Sequence, residues 1–168
     1  MKLSASATRF FTIAIVVAIA VLPTEARRRP QVKTDLHTDA KLASIVESSG
    51  ATYKKVAEGV WVVKLKGDAL ADIDVIVTSA EGLILLGVVV AQKKTMQVSP
   101  EMMRTLLKLV HNIDFVKIGF DDDDDLFVRI ELPARLFDLE EFKADLQQIA
   151  AASDKVYVAI KPFRAQNW

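Results

Sequence analysis

Leu83-Ile84-Leu85-Leu86-Gly87-Val88-Val89-Val90-Ala91 runs for nine residues without a charged or polar side chain. It reads as the central strand of a sheet, covered on both faces. Upstream, across a turn at Glu81-Gly82, Ile73, Val75 and Val77 alternate against Asp72, Asp74 and Thr78. That is the period of a strand with one buried side. Further back, Trp61, Val63 and Leu65 alternate against Val60, Val62 and Lys64, between Gly59 and the turn pair Gly67-Asp68. The three segments make an antiparallel meander.

Helical periods flank the meander. Leu42, Ile45 and Val46 share one face of a short helix starting near Thr38 or Asp39, and Gly50 stands where a helix C-terminus favours glycine. Downstream, Ser99-Pro100-Glu101 combines an N-cap, a first-turn proline and an acid at the positive end of the helix dipole. Met102, Leu106, Leu109 and Ile113 then recur at helical spacing, and Met103, Leu107 and Val110 widen the stripe. Val116, Ile118 and Phe120 alternate before the run Asp121–Asp125, and Leu126, Val128, Ile130 and Leu132 alternate after it, as two strands of a hairpin do. Asp138 and Glu141 form an acidic variant of the capping box, opening a helix whose core side is Leu139, Phe142, Leu146 and Ile149. Val156–Ile160 fits either a continuation of that helix or a final edge strand. The expected fold is α+β: an antiparallel sheet of about five strands with helices on a face, in the order α-β-β-β-α-β-β-α.

Composition narrows the chemistry. The 168 residues hold 51% apolar and 26% charged side chains, enough for one well-packed domain. Cysteine is absent, which excludes disulfides, thiolate metal sites, a cysteine nucleophile and a lipidated cysteine anchor. The 22 basic and 22 acidic residues cancel, so no net field draws in nucleic acid or an anionic membrane.

The N-terminus carries an export pattern. Lys2 and Arg9 bracket a basic start, Phe10–Leu22 is uncharged, and Pro23-Thr24-Glu25-Ala26 places small residues before a cut between Ala26 and Arg27. Residues 1–26 are expected to be a signal peptide, 27–37 a flexible tether and 38–168 a single domain, exported to the periplasm or the extracellular space. Cleavage would remove Lys2, Arg9 and Glu25, leaving 20 basic and 21 acidic residues (a net charge of −1) and no membrane attachment. The alternative is an uncleaved anchor and a membrane-tethered domain, favoured by Arg27-Arg28-Arg29, because positive charge after an apolar segment resists translocation.

Several stretches resemble the YbjN-like family of bacterial sensory transduction regulators. They are Val60-Trp61-Val62-Val63, Asp72–Val77, Leu83–Gly87, Leu106–Leu109, Phe115–Gly119, Leu126–Pro133 and Asp138–Phe142, spread over about residues 38–160. The resemblance implies the fold of the type III secretion chaperones, a protein partner and a homodimer.

Catalytic machinery is sparse. A hydroxyl nucleophile needs a base, and the two histidines are His37, in the expected tether, and His111, at the end of the second helix. The expected protein is therefore a non-enzymatic binding module without cofactor or nucleic-acid partner, holding a protein partner or self-associating. Trp61, Phe127 and Tyr157 are the candidate lining of a partner groove, although strand aromatics usually belong to the core. The alternative is a calcium-binding domain using Asp121, Asp123 and Asp125, since a tight turn can offer several carboxylate oxygens to a hard cation. A solvated hairpin tip explains the same run without a metal.

Overall fold

A computed structural model of the chain describes residues 36–165. The expected signal peptide, its Ala26–Arg27 junction and most of the tether lie outside the described residues, as does the His37 side chain. Three helices, α1 (Leu36–Ser48), α2 (Pro100–Val110) and α3 (Leu139–Ile160), accompany six strands. The strands are β1 (Tyr53–Ala57), β2 (Val60–Leu65), β3 (Ile73–Ala80), β4 (Leu83–Ala91), β5 (Lys117–Phe120) and β6 (Leu126–Pro133). Helix α1 begins two residues ahead of the expected domain boundary. No described helix is long and apolar enough to cross a membrane.

All strand pairs are antiparallel, in the order β1-β2-β3-β4-β6-β5. The central strand is β4, as the nine-residue run predicts. A sixth strand, β1, joins the five expected, so the order becomes α-β-β-β-β-α-β-β-α. Every residue of β1 is exposed, which leaves no buried alternation to reveal it. Val156–Ile160 belongs to α3, because Ile149, Ala152, Val156 and Ile160 are all buried at helical spacing along one side.

The expected caps form. The Ser99 hydroxyl accepts the Met102 N–H at 3.1 Å, and the Asp138 carboxylate accepts those of Glu140 and Glu141 at 3.0 and 2.9 Å. The β3–β4 turn puts Glu81 and Gly82 at φ 51° and 78°, the left-handed pair that suits a two-residue hairpin.

The core lies between one sheet face and the helices. Trp61 and Val63 of β2, Val75 and Val77 of β3, Ile84 and Leu86 of β4, and Val128 and Ile130 of β6 all point to this side. Phe142, Ile149 and Val156 of α3 and Leu42 and Val46 of α1 meet them. The opposite face has no covering element among the described residues. The expectation that β4 would be covered on both faces is therefore corrected. Ile84, Leu86 and Val88 are buried on the helix side, whereas Leu83, Leu85 and Gly87 on the other side are partly exposed and Val89 is 45% exposed.

Candidate functional site

The uncovered sheet face follows from strand alternation. Each residue between two core-facing ones must point the other way, which places Val62, Ile76, Leu85, Gly87, Val89 and Phe127 together on the outer side. Ile76 is 41% exposed. Gly87 sits between Ile76 of β3 and Arg129 of β6. The result is a hollow of about 250 Å³ centred on β4.

Charges frame this apolar strip. Lys64 Nζ meets Asp74 Oδ1 at 2.8 Å across the β2–β3 ladder. Toward the other edge, Glu131 pairs with both Lys117 and Arg129. The hydrogen bond from Lys117 holds the Glu131 carboxyl below its ordinary range; partial burial opposes this and the two cations reinforce it. Arg129 Nε lies 2.8 Å from Glu131 Oε1 but at an angle that forms an ion pair without a hydrogen bond. The Arg129 guanidinium also lies 5.2 Å from the centre of the Phe127 ring.

The three aromatic residues expected to line one groove are separated. Trp61 is 3% exposed on the helix-facing side of the sheet, Phe127 stands on the uncovered side, and Tyr157 is on α3. Tyr157 Oη accepts a hydrogen bond from Arg164 at 2.7 Å. Trp61, Phe127 and Tyr157 therefore do not line one common groove, because period-two alternation sends Trp61 into the core.

The aspartate turn is held largely from within. Asp121 Oδ1 accepts the N–H groups of Asp123 and Asp125 at 3.0 and 2.9 Å, and Asp125 Oδ1 accepts the Lys93 N–H at 2.8 Å. Asp124, at φ 63°, pairs with Lys93 Nζ at 2.6 Å. No group of three or more acidic or histidine side chains is placed to share a metal ion among the described residues. His111 is exposed at the C-cap of α2.

A second apolar surface was hidden inside the α2 stripe. Met102 and Leu106 are buried, whereas Met103, Leu107 and Val110 are 38%, 69% and 40% exposed. Phe115, two residues ahead of β5, is 85% exposed at φ 59°, and β5 is an edge strand. The width of the stripe, more than one buried side needs, was the signal for this surface.

One further polar group is buried without a partner. Asp145 on α3 is 4% exposed and its Oδ2 has no hydrogen bond. Burial, helped by the nearby Glu141 charge, pushes its carboxyl up to about 6.

Solved structures match this arrangement of strands and helices. The heterodimeric ExoU–SpcU complex from the type III secretion system of Pseudomonas aeruginosa contains a chain with TM-score 0.50 and 17% identity, aligned over 74% of this chain and 98% of that one. The ExsC–ExsE complex contains another at TM-score 0.52 and 16% identity, over 74% and 93% of the two chains. YbjN from E. coli aligns at TM-score 0.50 and 13% identity, over 77% and 96%. This chain has the YbjN-like, secretion chaperone fold. No family model and no curated protein matches its sequence. At these identities the likeness concerns the fold, and function must be argued from the surfaces.

Proposed function

We propose that the chain is a non-enzymatic, exported protein-binding module that receives a segment of a protein partner on the uncovered face of its sheet. The observation that carries this is the apolar strip of Val62, Ile76, Leu85, Val89 and Phe127, which no described element covers. Apolar area left in water is unfavourable by about 25 cal/mol per Å², so covering such a strip favours association. Two of the three solved structures described above are complexes of two proteins, which supports the same reading. Export rests on the Phe10–Leu22 segment and the Ala26–Arg27 junction.

The edge formed by α2 and β5 supports self-association as a second contact. Leu107 and Phe115 are the most exposed large apolar residues there, and an edge strand offers unpaired backbone groups to a second copy.

Affinity capture with the purified protein tests the proposal. The wild type is expected to retain a defined partner at fixed stoichiometry, and Ile76→Lys, on the uncovered face, to release it without loss of fold. Equal retention by both proteins would remove the sheet face from the account.

A further inference from the structure

No further inference is drawn: the strongest candidate, the apolar hollow of about 250 Å³ over β4 on the uncovered sheet face, has Lys117 and Arg129 matched by Glu131 and Asp121, and nothing in the structure shows what covers it.

Discussion

Replacing Asp145 by asparagine isolates the energy of one buried charge. Asp145 is 4% exposed, its Oδ2 has no partner, and its carboxyl titrates near 6 instead of 3.8. A group whose acid form is favoured by folding destabilises the native state once it ionises. Stability is therefore greatest below the unfolded value and falls as pH rises from about 4 through 6. At about 1.4 kcal/mol per unit, the full displacement corresponds to roughly 3 kcal/mol at neutral pH. Asp145 lies in the second turn of α3, and screening by nearby solvent reduces the expected effect to about 1–2 kcal/mol. The neutral asparagine should match wild type near pH 4.5 and exceed it by that amount at pH 7.5. In thermal melts this is a gain of roughly 3–8 °C at the higher pH. Urea unfolding at both pH values gives the free energies directly. A variant offset from wild type by the same amount at both would refute the argument, since the difference would then arise from packing.

Other perturbations test separate parts of the fold. The Asp154 carboxylate accepts the N–H groups of Asp68 and Leu70 at 2.5 and 2.9 Å and, at 3.4 Å, that of Ala69, fastening the β2–β3 loop to α3. Desolvation raises its pKa, and the three N–H groups together outweigh this and lower it. Asp154→Ala should cost roughly 1–2 kcal/mol and speed amide exchange at Asp68–Leu70. The wild-type advantage should hold above the ordinary carboxyl range and fade as pH falls through it. Leu107→Glu should turn any dimer into a monomer in sedimentation velocity, with helicity unchanged in circular dichroism. Calcium at millimolar concentration should leave the melting temperature unchanged, because the turn commits Asp121, Asp124 and Asp125 to its own backbone and to Lys93.

Where side-chain period coincided with burial, the sequence was a sufficient guide to the fold. Alternation at Trp61, Val63, Val75 and Val77 marked core-facing strand positions, and Ser99 and Asp138 marked helix starts through caps that form. Strand β1 escaped because an exposed edge strand has no buried side to alternate, although the Glu58-Gly59 pair ahead of β2 was a turn signal. The functional face was harder to see. A continuous run such as Leu83–Ala91 fits a strand covered on both sides and one left open on a single side, and only the placement of all three helices decides between them. The hollow over β4 had no mark within that run, because it depends on neighbours from β3 and β6 far away in sequence.

Site-specific photo-crosslinking in living cells addresses the central claim most directly. A photoreactive amino acid replaces Ile76 or Val89 on the uncovered face, with exposed Lys143 on α3, on the helix side of the sheet, as the control position. Discrete adducts with one protein are expected from Ile76 and Val89 and none from Lys143. Identical adduct patterns from all three positions, or none from the two face positions, would contradict the claim.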